Sequence, residues 1–129
     1  MKLFLDDVRD PQDCLGYMYN RIGKQSPIYL EEWLVVRNYH EFVEAVDKHW
    51  CALTHVSFDH DLAEEHYDES MHADHKVYEE LAHSFKEKTG VDCAEYLLEK
   101  FKKEGKSLPV IYIHSMNPAG CIRLINVFA

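Results

Sequence analysis

The sequence predicts an α/β domain built on a parallel sheet. Apolar runs of strand length at residues 2–5, 33–36, 56–58 and 109–113 are separated by stretches whose apolar residues recur at three- and four-residue steps. Helices interleaved between strands imply right-handed crossovers and parallel pairing. The first, third and fourth runs each give way at once to chemistry-bearing residues: Asp6-Asp7, Asp59-His60-Asp61 and His114-Ser115. In open α/β sheets ligands bind at the carboxyl ends of the strands. Three strands ending this way point to one site.

Residues 2–5 are cut off by the acidic pair and read as a buried strand, and Pro11 blocks its continuation. Between 12 and 30, Gly16, Gly23 and Pro27 interrupt whatever period Tyr17, Met18, Tyr19 and Ile22 begin. That segment reads as an irregular loop with room for one short helical turn. Residues 33–36 suit a buried strand. In 40–50, Phe42, Val43, Val46 and Trp50 mark an amphipathic helix. After the strand at 56–58 comes an acidic, histidine-rich stretch, 63–88. Its second half carries a helical stripe of Tyr78, Leu81, Ala82 and Phe85, broken by Thr89-Gly90.

The next helix is the clearest in the chain, with Cys93, Ala94, Leu97, Leu98 and Phe101 on one stripe. Asp92 near its start and Lys100, Lys102 and Lys103 in its last turns complement its dipole, and Gly105 is its expected stop. The fourth strand follows. Asn117-Pro118 then reads as an N-cap with proline at the first helical position, opening a final helix of Ile122, Leu124, Ile125 and Phe128.

At 129 residues the chain is expected to form one domain, 1–129. A net charge of -9 argues against a broad nucleic-acid-binding surface. It leaves room for a small phosphate-containing substrate, because a bound divalent cation inverts the local charge logic. Cys14, Cys51, Cys93 and Cys121 form no CxxC pair and are expected to be reduced thiols, two or three of them buried. No apolar run is long enough for a signal peptide or a membrane span. A cytoplasmic protein with no membrane partner is expected; the sequence does not set its oligomeric state.

Asp6, Asp7, Asp59 and Asp61 are candidate oxygen ligands for a hard divalent cation, Mg²⁺ or Mn²⁺. The plain alternative for the Asp6-Asp7 pair is a cap or a solvated turn. Arg9 is a candidate phosphate clamp, or else a partner for its acidic neighbours. Strand alternation puts Asp59 and Asp61 on one rim and His60 on the other, unless the strand has already become a loop and all three converge. His60 and His114, with Asp59, are the candidate catalytic groups, the two histidines acting as acid and base on a phosphodiester. The alternative for His60 is a structural bond to backbone beneath the sheet edge. Ser115 and Asn117 are candidate donors to phosphate oxygens, Asn117 doubling as the cap of an anion-favouring helix N-terminus. His66, His72 and His75, with Asp68 and Asp74, match no closed zinc spacing and read as a solvated insertion.

Four segments in order carry a family resemblance: Leu3-Phe4-Leu5-Asp6-Asp7-Val8-Arg9, Phe58-Asp59-His60-Asp61-Leu62, Thr89-Gly90-Val91-Asp92-Cys93-Ala94 and His114-Ser115-Met116-Asn117-Pro118-Ala119-Gly120. They resemble the cyclic-phosphate processing receiver-like domains, divergent relatives of response-regulator receivers. The resemblance implies a flavodoxin/receiver-like three-layer fold with about four strands in the order 2-1-3-4. Several departures from ordinary receivers stand out. The fifth strand and its lysine have no counterpart, and His114 falls where receivers carry serine or threonine. Asp59 is followed by His60-Asp61, and the loop at 12–30 stands in place of the first helix. The implied activity is that of a hydrolase, a phosphoesterase acting on a cyclic phosphate or related phosphodiester in an RNA end or nucleotide, with a divalent metal. The alternatives are a degenerate receiver that accepts phosphate at Asp59 or binds a protein, and a nucleotide-binding protein that does not cleave.

Overall fold

The computed structural model describes residues 1–62 and 88–129. The histidine-rich insertion, with its Tyr78–Phe85 stripe, lies outside the described residues. The strands are β1 (Lys2–Leu5), β2 (Leu34–Val36), β3 (His55–Phe58) and β4 (Val110–Ile113). The described α-helices are α1 (Leu15–Ile22), α2 (Tyr39–His49), α3 (Gly90–Glu104) and α4 (Pro118–Phe128). All strand pairs are parallel, in the order β2-β1-β3-β4. The register sets Leu5 beside Val36 and Phe58, and Phe58 beside Ile113. The carboxyl ends of β1, β3 and β4 are therefore level, and the residues that follow them meet at one edge.

Alternation along the strands divides the core in two. Leu3, Leu5, Val56 and Phe58 pack with Phe42 and Val46 of α2, Ala94, Leu97 and Phe101 of α3, and Leu124 of α4. Phe4 and Tyr112 face the other way, against Cys14, Met18, Tyr29 and Trp33. The helix ends follow sequence chemistry. Asn38 Oδ1 accepts from the Glu41 N–H at 2.9 Å, and Thr89 with Asp92 forms a capping box at α3. Gly105 takes a left-handed φ of 66° where α3 stops. Asn117 Oδ1 caps α4 by accepting from the Gly120 N–H at 3.1 Å, with Pro118 at the first helical position.

The segment 12–30 corrects the expectation of an irregular loop. It is helical almost throughout: a 3₁₀ turn at Pro11–Cys14, then α1, then a 3₁₀ stretch at Gly23–Leu30. The pattern hid this because α1 is short and buries Met18 alone, so no stripe develops. Gly23, at φ 57°, turns the chain out of α1. Pro27 is tolerated in the 3₁₀ stretch, whose short turns do not depend on a continuous α ladder. A first helix is therefore present. The segment also covers the Phe4 face of the sheet and carries Tyr17 and Tyr29 to the site.

Candidate functional site

The site is assembled on Asp6, the residue directly after β1. Its carboxylate accepts four hydrogen bonds. Oδ1 takes the backbone N–H groups of Val8 at 2.9 Å and Arg9 at 2.8 Å, while Oδ2 takes Arg9 Nε at 3.0 Å and His114 Nε2 at 3.1 Å. Burial alone would raise the Asp6 carboxyl, but the bonds from His114, Arg9 and Val8 outweigh it and hold the group below the usual carboxylate range. Asp6 is the ionised anchor.

Asp59, directly after β3, is the opposite case. Its Oδ1 accepts from the His60 N–H at 2.9 Å and lies 3.4 Å from Arg9 Nη2. Among the described residues, its Oδ2 is buried with no hydrogen-bond partner. Burial first, and then the negative charge of Asp6, push the Asp59 carboxyl up to about 8, with Arg9 opposing. Arg9 joins the pair. Its guanidinium is a fifth exposed, bonds both carboxylates and donates from Nη1 to Tyr17 Oη at 3.0 Å. Burial opposes its charge, but Asp6 and Asp59 prevail and hold the guanidinium firmly protonated.

His114 directly follows β4 and is wholly buried. Its ring stacks on Phe4 with centroids 4.3 Å apart and planes 6° apart. Nδ1 lies 2.7 Å from Ser57 Oγ, which lies 2.7 Å from the buried Tyr29 Oη. Burial lowers the basicity of the ring more than Asp6 restores it, so the imidazole is neutral near pH 7. The Tyr17 hydroxyl donates to the His114 carbonyl at 2.7 Å and ties α1 to the end of β4.

His60 and Asp61 have left the strand geometry and turn toward α4. His60 Nδ1 lies 2.9 Å from Asp61 Oδ1, and Arg123 Nη1 lies 3.0 Å from His60 Nε2. Asn117 Nδ2 donates to both Asp61 oxygens, at 3.2 and 3.3 Å. Ser115 is buried, and its Oγ accepts from the Asn117 N–H at 3.1 Å. Two glycines make this packing possible. A Cβ on Gly90 would stand 1.9 Å from the Asp59 carbonyl oxygen, and one on Gly120 would stand 2.5 Å from His60 Cγ.

The sequence-predicted residues thus fall into two adjoining clusters. Asp6, Arg9, Asp59 and His114 meet around one carboxylate pair. His60, Asp61 and Asn117 meet under the first turn of α4, with Ser115 bracing Asn117. Asp7 is half-buried at the rim. Each histidine faces a carboxylate of its own, Asp6 for His114 and Asp61 for His60. Sequence reasoning missed Tyr17, Tyr29, Ser57 and Arg123. Ser57 carried a signal, as the polar residue inside an otherwise apolar strand; the tyrosines sat in the misread segment.

Among the described residues, ligand atoms of Asp6, Asp59 and His114 lie within 4.8 Å of one another, a possible metal site. The two carboxylates suit a hard divalent cation, while both His114 ring nitrogens are already engaged, by Asp6 and by Ser57. The open Asp59 Oδ2 is a position such an ion would satisfy.

A four-stranded parallel sheet in the order 2-1-3-4, with helices around it and acidic residues after β1 and β3, defines a receiver-like α/β fold. Residues 1–129 match the family described as "Cyclic-phosphate processing Receiver domain", and the chain belongs to that family. No curated protein and no solved structure matches the chain significantly. No helix among the described residues is long and apolar enough to cross a membrane.

Proposed function

We propose that this chain is a phosphoesterase that opens a cyclic phosphate or related phosphodiester, in a nucleotide or an RNA end. The observation that carries the reading is Asp59 Oδ2, a buried carboxyl oxygen without a partner among the described residues, beside a guanidinium that reaches solvent. Arg9 supplies a planar pair of donors for phosphate oxygens and balances the charge that develops on them. Asp59, with its carboxyl near 8, exists in both forms around neutrality and suits proton transfer. In the hydrolysis step the oxygen of a water bonds to phosphorus and one ring P–O bond breaks. The water's proton passes through Asp59 to the departing alkoxide oxygen. Asp6, ionised and fully bonded, keeps Arg9 in place.

A divalent cation would be held by Asp59 Oδ2 and by Asp6, the latter in exchange for an Arg9 contact. Bound there, it supplies Lewis-acid stabilisation of the phosphoryl oxygens. A second reading also draws on the open Asp59 Oδ2, which stands where receivers accept phosphate. Under it Asp59 is a nucleophile that forms an acyl phosphate.

Purified protein incubated with 2′,3′-cyclic nucleotides, in chelator and in Mn²⁺ or Mg²⁺, tests these readings. Turnover that is lost in Asp59→Asn and shows a raised KM in Arg9→Lys is the expected result. Turnover that survives chelator assigns Asp59 to proton transfer rather than to holding a cation. Stoichiometric phosphorylation of Asp59 without turnover favours the acceptor reading, and saturable binding without either favours a protein that sequesters its nucleotide.

A further inference from the structure

We propose that the two buried histidines are held as opposite neutral tautomers and serve as positioning donors. On this proposal Tyr29 and Ser57 set His114, and Arg123 sets His60.

Counting donors and acceptors leads there. The Asp6 carboxylate only accepts, so the 3.1 Å contact to His114 Nε2 requires the proton on Nε2. Nδ1 is then an acceptor, and Ser57 Oγ, 2.7 Å away, must donate to it. Ser57 Oγ in turn accepts from Tyr29 Oη, at 2.7 Å. The far end of the chain demands the same polarity. Tyr29 is 1% exposed, and Ser57 is the hydrogen-bond partner of its hydroxyl among the described residues. If Ser57 donated to Tyr29 instead, the Tyr29 O–H would be buried without an acceptor, at a cost of about 1–3 kcal/mol. An imidazolium at His114 would make Nδ1 a donor, so Ser57 Oγ would accept from both neighbours and its own O–H would be buried without an acceptor among the described residues. Both ends therefore fix one direction of donation: Tyr29 to Ser57 to His114 to Asp6.

At His60 the constraint comes from Arg123, whose guanidinium has donors and no acceptor. The 3.0 Å contact to Nε2 makes that nitrogen the acceptor, so Nδ1 carries the proton and donates to Asp61 Oδ1 at 2.9 Å. Packing adds to the constraint. The Phe4 ring stacked on His114 prevents it from flipping to exchange its nitrogens, and Gly120 packs so closely on His60 that a methyl would not fit. In each ring the basic lone pair is taken, by Ser57 or by Arg123. The open oxygen of the cluster is Asp59 Oδ2.

The catalytic meaning of this arrangement rests on the phosphoesterase reading, whereas the tautomers do not. Long-range ¹H–¹⁵N correlation spectra of the ¹⁵N-labelled full chain near neutral pH read them directly. The expected result is a protonated Nε2 at His114 and a protonated Nδ1 at His60. A protonated Nδ1 at His114, an imidazolium, or averaging of two tautomers at either ring overturns the proposal. In Ser57→Ala the His114 Nδ1 resonance should move toward that of an unbonded pyridine-type nitrogen. Tyr29→Phe should move it in the same direction by less. An unmoved resonance in both variants overturns the relay. Where turnover is present, Ser57→Ala should lower kcat about tenfold with KM unchanged, and Ser57→Thr should restore it. The expected tautomers in a protein without phosphoesterase turnover would sink the functional reading and leave the relay standing.

Discussion

Asp6 and Asp59 are chemically the same residue at equivalent strand ends, and the fold drives them apart. Four donors meet Asp6, while Asp59 has one oxygen that no donor meets among the described residues. The consequence for stability has a definite sign. Asp59 titrates near 8 in the folded chain and near 4 when unfolded, so between those values the folded state binds the extra proton. Its contribution is therefore fully present below about pH 4 and is lost as the pH rises through 8. Asp6 works the other way and loses its contribution at the acid end. Urea unfolding of the wild type and Asp59→Asn across pH 5 to 9 checks this. The variant should be more stable above pH 8, by roughly 1–3 kcal/mol, and should lack the decline the wild type shows between pH 5 and 8. Equal slopes in the two proteins would remove the argument for an uncompensated carboxyl. The sequence already showed that Asp6, Asp59 and His114 belong together, because strand ends in a parallel sheet share an edge. It did not show which carboxylate is anchored. That depends on Arg9 turning back over Asp6 and on Ser57 and Tyr29 behind His114, contacts that no spacing encodes.

At the scale of elements, the site is fixed by how closely α3 and α4 approach the end of β3. Gly90 opens α3, and its N–H donates to the His60 carbonyl at 2.8 Å; Gly120 stands in the first turn of α4 against the His60 ring. Gly90→Ala would put a methyl against backbone that has no room to yield, so it should cost more than Gly120→Ala, which meets a side chain. Each should lower stability by about 1–3 kcal/mol or more. Gly16→Ala in α1 is the control, since open space surrounds that position. It should stabilise by up to ~1 kcal/mol through helix propensity. Thermal unfolding of the three variants orders them, and a Gly90→Ala protein as stable as Gly16→Ala would contradict the packing. These helices were legible from a stripe together with a start or a stop in the sequence: Leu97 with Phe101 and then Gly105 for α3, Asn117-Pro118 ahead of Leu124 for α4. The segment 12–30 lacked the stripe, although Asp10-Pro11 opens its first turn and Gly23 ends α1. Its helices are held by tertiary packing of Cys14, Met18 and Tyr29 on Phe4 and Trp33, which local pattern does not reveal.

For the whole molecule, the site is spread over sequence positions 6 to 123 yet lies on one edge, so a ligand there binds the fold rather than a local element. Asp6, Asp59 and His114 directly follow three different strands, and Arg37 ties the loop after β1 down by donating to the Asp6 and Arg9 carbonyls at 3.2 and 2.6 Å. The unfolded chain brings none of these groups together. A ligand of the assembled site should therefore raise global stability by linkage, about 2.7 kcal/mol at a hundred times its Kd. It should also slow amide exchange in β1, β3 and β4 together rather than in one loop. Mn²⁺ is the direct probe, because the open oxygen of Asp59 is what a cation would meet. In a chain of net charge -9 any cation also screens repulsion, so the decisive comparison is between proteins. Stabilisation by Mn²⁺ in the wild type and its absence in Asp59→Asn would place the effect at the site. Equal stabilisation of both would assign it to general screening and leave Arg9 as the positive charge of the pair.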